Sequence, residues 1–126
     1  MAIDCVLFER LVELSTRFQP KGRTLMLGRQ GFKIQTQFRR DYDTALQRHD
    51  VDGKRFDFLQ EDGYSETLMS RLGFGAMETM DFSDYEGASI IHDLNQLPPK
   101  TLEKKFDLIF DGGTLEHVFN VPNALE

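Results

Sequence analysis

Acidic residues and glycines follow runs of apolar residues at several points in this chain. Asp81 closes the stretch "AMETMD", Asp93 follows "ASIIH", and Asp111 follows "FDLIF" and is succeeded by Gly112. Carboxylates accept hydrogen bonds from hydroxyl and amino groups, and glycines let the backbone approach a ligand closely. If the apolar runs are strands that end at one rim, these residue types predict a site for a polar small molecule.

The first apolar run, "TLMLG", leads into a loop that could contribute to the same site. Gly28, Arg29, Gln30 and Gly31 make up this loop. A plain strand-to-helix turn explains the two glycines as well as ligand contact does. Asp81 has a comparable alternative interpretation, because it could cap the turn that follows it.

Helices and strands that would position these residues can be predicted from hydrophobic spacing. An apolar stripe at three- and four-residue intervals predicts a helix near the N-terminus. Its members are Ile3, Leu7, Leu11, Leu14 and Phe18. Further helices are predicted over residues 32–47, over 65–73 between a Ser65 cap and Gly73, and from Pro122 onward. Strands are predicted over residues 24–28, 55–59, 76–81, 88–94 and 106–111.

The strands are apolar on both faces, which is typical of a parallel sheet covered by helices. We therefore predict an α/β protein with a mostly parallel sheet and helices on both faces. Ligands of such sheets bind beyond the carboxyl ends of the strands, where the acids and glycines lie.

Composition narrows the class of protein. The 126 residues suit one domain, and the net charge of −6 argues against nucleic acid as the main partner. A single cysteine excludes an internal disulfide and fits a reducing compartment. No apolar stretch approaches the ~20 residues that span a bilayer. These features predict a cytoplasmic protein that binds neither nucleic acid nor membranes.

From about Thr24 to the end, the sequence resembles the class I S-adenosylmethionine-dependent methyltransferases of small molecules. The segments "DFSDYEGASIIHDLNQLPP" and "FDLIFDGGTLEHVFNVPNAL" carry the resemblance. It implies S-adenosylmethionine as cofactor and a Rossmann-like sheet. Asp81 would bind the ribose hydroxyls, Asp93 with Leu94 would hold the adenine, and Asp111 with Gly112 would lie beside the methionine moiety. The loop formed by Gly28, Arg29, Gln30 and Gly31 would complete the cofactor site.

The resemblance is weaker in the first loop. Met26 stands where the family carries an acid, and "LGRQGF" replaces the usual glycine-rich loop. Residues 33–70 are too long for a single connecting helix and predict an insertion.

A general base, if methyl transfer needs one, would be His117 or Glu116, which follow the last strand. His92, Asp93 and Asp111 could be combined with these two residues into a metal site. Nothing in the sequence indicates that the five side chains converge, so no metal is predicted.

The family's sheet has seven strands in the order 3-2-1-4-5-7-6, and this chain would supply the first four. We therefore expect a single incomplete domain over residues 1–126, with an N-terminal helix at 1–20 and a cofactor-binding half at 24–126. Truncation of a longer chain would explain why the other three strands are missing. The final two residues could be native or a remnant of cloning. The fourth strand would be an exposed edge, which invites a homodimer.

Three functions remain open from the sequence. The first is a methyltransferase that acts on an unknown small-molecule acceptor, with this chain as a fragment of it. The second is a non-catalytic nucleoside-binding or dimerisation module derived from the same fold. The third, a nicotinamide-binding protein, is disfavoured because the three-glycine fingerprint is missing.

Overall fold

The computed structural model describes residues 2–18 and 22–126 of the chain. Its strands are β1 (Ala2–Ile3), β2 (Arg23–Leu27), β3 (Gly31–Phe32), β4 (Ala76–Asp81), β5 (Ile90–Ile91) and β6 (Leu108–Asp111). Its helices are α1 (Cys5–Arg17), α2 (Arg39–Arg48), α3 (Glu66–Arg71) and α4 (Val121–Leu125). Short 3₁₀ turns occupy Thr36–Phe38, Arg55–Phe58, Lys100–Leu102 and Leu115–His117.

The larger sheet is parallel and has the strand order β5-β4-β2-β6. The α/β class and the parallel sheet predicted from the sequence are confirmed, and the strand order is coarsely consistent with a Rossmann-like fold. Predicted strands at 24–28, 76–81 and 106–111 agree with β2, β4 and β6 to within two residues. The predicted strand at 88–94 is much shorter, because only Ile90 and Ile91 pair with β4.

A second, two-stranded sheet joins β1 to β3, also in parallel. The predicted helix over residues 32–47 is therefore wrong at its start. Phe32 is a strand residue, and the α-helix begins only at Arg39. The chain thus leaves the carboxyl end of β2 through a short strand and not directly into a helix.

Helix α1 buries a face that overlaps the predicted stripe only in part: Ile3 and Leu11 are buried as predicted, and Leu7 is partly buried. Its N-cap is Asp4, whose carboxylate accepts a hydrogen bond from the backbone N–H of Leu7 at 2.8 Å. The buried residues are Phe8, Leu11, Val12 and Ser15. Leu14 and Phe18 of the predicted stripe are 38% and 48% exposed. The helix turns Phe8 and Val12 toward the core in place of Leu14, because Phe8 packs among the rings of Phe32, Tyr42 and Phe58.

Four aromatic rings form the centre of the main core. Phe8 packs against Phe32, Tyr42 and Phe58 with ring centroids 5.5, 5.1 and 6.0 Å apart. All four residues are at most 1% exposed. Side chains of α1, α2, α3 and Met26 of β2 join this cluster, so the three helices cover one face of the sheet.

The opposite face of the sheet carries a smaller cluster. Leu25, Leu27 and Met80 are buried there, with partly buried neighbours that include Phe106. Ile109, on edge strand β6, remains 58% exposed. Within the described residues this face is covered by turns and the five-residue helix α4, not by long helices.

Residues 55–59 do not form the predicted strand. They form a 3₁₀ turn, in which Arg55 donates its backbone N–H to Asp43 at 2.9 Å.

The predicted end of α3 is confirmed, since Gly73 has a φ of 86°. Ser65 precedes α3 as predicted, but its hydroxyl makes no capping hydrogen bond. Over the described ranges, no helix combines the length and apolarity that a membrane span requires.

Candidate functional site

A cleft of about 310 Å³ lies at the carboxyl ends of the parallel strands. The ends of β2, β4 and β5 and the turn after β6 all contribute to its walls. The lining residues are Gly28, Arg29, Met80, Asp81, Phe82, Glu86, His92, Asp93, Leu94, Asn95, Thr114, His117 and Val118. The cleft therefore collects six of the eleven residues that the sequence predicts for the site, from Gly28 to His117.

Two acids of this cleft lie at the ends of neighbouring strands: Asp81 is the last residue of β4, and Asp93 follows β5. Oδ1 of Asp81 accepts the backbone N–H of Phe82 at 2.7 Å. Oδ1 of Asp93 accepts the backbone and side-chain N–H groups of Asn95, both at 2.9 Å. Both residues are half-buried. Among the described residues no donor bonds to Oδ2 of either acid, so each carboxylate keeps an oxygen that can accept from a ligand.

The segment that carries Asp93 is tied down by α4. The side-chain amide of Asn123 donates to the carbonyl oxygens of Leu94 and Gln96 at 3.0 and 2.9 Å. Backbone N–H of Asn120 donates to the side-chain oxygen of Asn95 at 2.8 Å. These three hydrogen bonds fix the loop after β5 although β5 itself has only two residues.

The loop after β2 puts only part of itself into the cleft. Gly28 lines it with a φ of 70°, which a residue with a side chain rarely adopts. Gln30 is fully buried outside it, and its Nε2 donates to the carbonyl oxygen of Gly28 at 3.2 Å. Gly31 belongs to β3 and also lies outside the cleft.

Arg29 is both a wall of the cleft and the centre of a polar network. Its guanidinium bonds to Glu66, lies 3.0 Å from Asp62, and stacks 3.8 Å above the ring of Tyr64. Burial alone would lower the pKa of Arg29, but the hydrogen bonds and charges of Glu66 and Asp62 raise it. The pKa of Asp62 is lowered by hydrogen bonds from Gln60 and Tyr64 and by the charge of Arg29.

Asp111 and Gly112 have structural partners. Oδ1 of Asp111 accepts the backbone N–H groups of Gly113, Thr114 and Leu115 at 3.0, 2.7 and 3.4 Å. Gly112 lies against Gln30, and a Cβ built on it would be 2.8 Å from Gln30 Cδ. Neither Asp111 nor Gly112 lines the cleft, but together they hold the turn that brings Thr114 to it.

His117 lines the cleft, whereas Glu116 does not. Their side chains are 74% and 68% exposed, with His117 Nε2 3.3 Å from Glu116 Oε1. The two predicted bases are thus at the solvent edge of the site. In the part of the chain that the structure describes, no group of three or more His, Cys, Asp or Glu side chains could hold a metal ion.

Three residues of the site were not found from the sequence. Thr114 donates its hydroxyl to the carbonyl oxygen of Leu27 at 2.8 Å and lines the cleft. Glu86 lines it from the loop after β4, and Glu66 anchors Arg29 from α3. Partners of Arg29 lie 33 to 57 residues away in sequence, so no local spacing signals them.

No family model, curated protein or solved structure matches this chain.

Proposed function

We propose that the cleft binds S-adenosylmethionine and that the chain is the cofactor-binding part of a small-molecule methyltransferase. The observation that supports this most is the pair of half-buried acids, Asp81 and Asp93, at the ends of adjacent parallel strands. Each has one carboxylate oxygen held by its own loop and the other available to a ligand. Such oxygens suit ribose hydroxyls and the adenine amino group.

The charge of the cleft favours a cationic nucleoside over a nucleotide. Asp81, Glu86 and Asp93 line it, and the guanidinium of Arg29 is already paired with Glu66 and Asp62. Phosphate groups are commonly held at a helix N-terminus that follows the first glycine loop. Here that loop leads into β3, and the next α-helix begins at Arg39. A sulfonium ligand therefore fits better than NAD.

In this proposal each residue has a defined role. Asp81 would accept from the ribose, Asp93 and Leu94 would hold the adenine, and Gly28 would let the backbone come close to the ligand. When bound, S-adenosylmethionine supplies an activated methyl group. The protein mainly positions and desolvates the reactants. His117, at the solvent edge, is the proposed base that takes a proton from the acceptor, with Glu116 beside it.

Calorimetric titration with S-adenosylhomocysteine, in parallel with NAD, tests the proposal. We expect saturable binding of the first compound only. Asp81→Asn and Asp93→Asn each remove a charge-assisted hydrogen bond and should weaken binding by about 10- to 100-fold. Asp52→Asn, at an exposed acid outside the cleft, is the matched control and should bind normally. A folded parent chain that binds neither compound would refute the proposal.

A nucleoside-binding module without catalysis is the second candidate. The exposure of His117 and Glu116 favours it, because neither side chain is held by a partner outside the pair within the described residues. The two candidates differ in turnover of S-adenosylmethionine with a panel of small acceptors. Binding without turnover would support the module, and turnover lost in His117→Gln would support the enzyme.

A further inference from the structure

Residues 82–87 form an outer wall of the cleft that has little apolar packing. Phe82 and Glu86 line the cleft, yet Phe82 and Tyr85 are 72% and 92% exposed. The backbone N–H of Gly87 donates to the carbonyl oxygen of Asp84 at 2.8 Å and closes a turn. Because the aromatic side chains contribute so little burial, polar contacts must hold this loop in place.

The guanidinium of Arg29 supplies such a contact. Its Nη1 donates to the carbonyl oxygen of Glu86 at 3.0 Å, while Nη2 lies 3.0 Å from the carboxylate of Asp62. Its Nε bonds to Glu66, and its plane lies over Tyr64. The side chain is only 19% exposed, so it is held from several sides at once.

The partner of Arg29 on α3 belongs to a helix that packs in the main core. Glu66 belongs to α3, whose Leu68 and Met69 are fully buried in the main core. The second carboxylate oxygen of Glu66 accepts from the side chain of Gln60 at 3.1 Å, which fixes its orientation. The loop, Arg29 and α3 therefore form a continuous line of contacts from the cleft to the core.

We propose that Arg29 is a positioning residue that holds residues 82–87 against α3 and thereby sets the outer wall of the cleft. The relevance of this wall to a nucleoside rests on the function proposed above. The role requires the fork of a guanidinium, since Nε and Nη1 serve different elements. A lysine carries the same charge but cannot replace both contacts with one rigid group.

Amide hydrogen exchange by NMR, without any ligand, tests the positioning directly. In Arg29→Ala the amide of Gly87 should exchange at least about tenfold faster, because a hydrogen bond from a charged group is lost. In Arg29→Lys the amide of Gly87 should also exchange faster than in the parent. The amides of β4 should exchange at the parent rate in both variants. Arg10→Ala, at a 72% exposed arginine on α1, is the matched control. If the amide of Gly87 exchanges at the parent rate in Arg29→Ala, the proposal is overturned. If it does so in Arg29→Lys alone, the requirement for a guanidinium is overturned.

Affinity for S-adenosylhomocysteine separates this inference from the proposed function. If the parent binds, Arg29→Ala should bind about tenfold more weakly with its fold intact, and full affinity with a loosened loop would overturn the inference. If the parent does not bind, the proposed function fails, while the exchange rates still decide whether Arg29 positions the loop. Glu66→Gln serves as the second variant should Arg29→Ala not fold, and it should also speed exchange at Gly87.

Discussion

Gly112→Ala should destabilise the protein through one identifiable contact. A Cβ at position 112 would lie 2.8 Å from Cδ and 2.9 Å from Oε1 of Gln30. Gln30 is fully buried, so its carboxamide has no solvent-filled space into which to move. Moving it would break the 3.2 Å hydrogen bond from Gln30 Nε2 to the carbonyl oxygen of Gly28.

The magnitude follows from two opposing contributions. Leaving a buried carbonyl without its donor costs about 1–3 kcal/mol. Replacing glycine by alanine stabilises by about 0.4–1 kcal/mol, because it restricts the unfolded chain. The net loss in free energy of unfolding is therefore up to about 2.5 kcal/mol, which for a chain of this size lowers Tm by up to roughly 10 °C.

Urea denaturation of a double-mutant cycle measures the contact. Gln30→Ala removes the side chain that the new methyl group would meet, so in that background Gly112→Ala should stabilise the protein by about 0.4–1 kcal/mol. Gly73→Ala is the matched control: its Cβ would meet nothing within 4 Å, but its φ of 86° is strained. Its cost should be the same with and without Gln30→Ala. Equal costs for Gly112→Ala in both backgrounds would refute the steric reasoning.

Four further outcomes are expected. Phe8→Ala should lose about 3–5 kcal/mol or fail to fold, as measured by urea denaturation, because Phe8 is fully buried among three aromatic rings. Tyr42→Phe should cost about 1 kcal/mol, since the hydroxyl bonds to Gln35 at 3.2 Å; burial raises the pKa of Tyr42, so the stability of the parent should also fall as pH rises above about 10. The lowered pKa of Asp62 contributes stability above the unfolded-state pKa, so urea titrations should show the parent losing that contribution below about pH 4 and Asp62→Asn losing less. If the predicted homodimer forms through β6, light scattering should report twice the mass of one chain, and Ile109→Lys should restore the monomer; a concentration-independent monomer of the parent would contradict it.

The parallel sheet could be predicted from the sequence because buried strands carry their own signal. Residues of β2 and β6 are apolar on both faces, and glycines or acids mark where each strand ends. Strand ends of a parallel sheet meet at one edge, so Asp81, Asp93 and Gly28, which line one cleft, could be predicted to lie near one another.

The helices are harder to predict from the sequence, because the face that each one buries depends on its tertiary partners. The spacing of α1 permits more than one apolar stripe, and the choice between Phe8 and Leu14 is made by the aromatic cluster. The segment at 55–59 has the composition of a strand, but Phe58 is used to fill that same cluster. In both cases packing between distant segments overrides the local pattern.

The unusual residues of the first loop are explained by where they pack. Met26 is fully buried in the main core, where its sulfur lies 3.3 Å from the backbone nitrogen of Gln30. An acid at this position would be buried among apolar side chains, at a cost of several kcal/mol. Arg29, in contrast, is charged, and it is paired with the carboxylates of Asp62 and Glu66 on neighbouring segments. The two large side chains of the loop are thus both accommodated: Gln30 is buried, and Arg29 contacts α3. The sequence of this loop is therefore explained by packing, and the cleft acids Asp81 and Asp93 come from β4 and from the segment after β5.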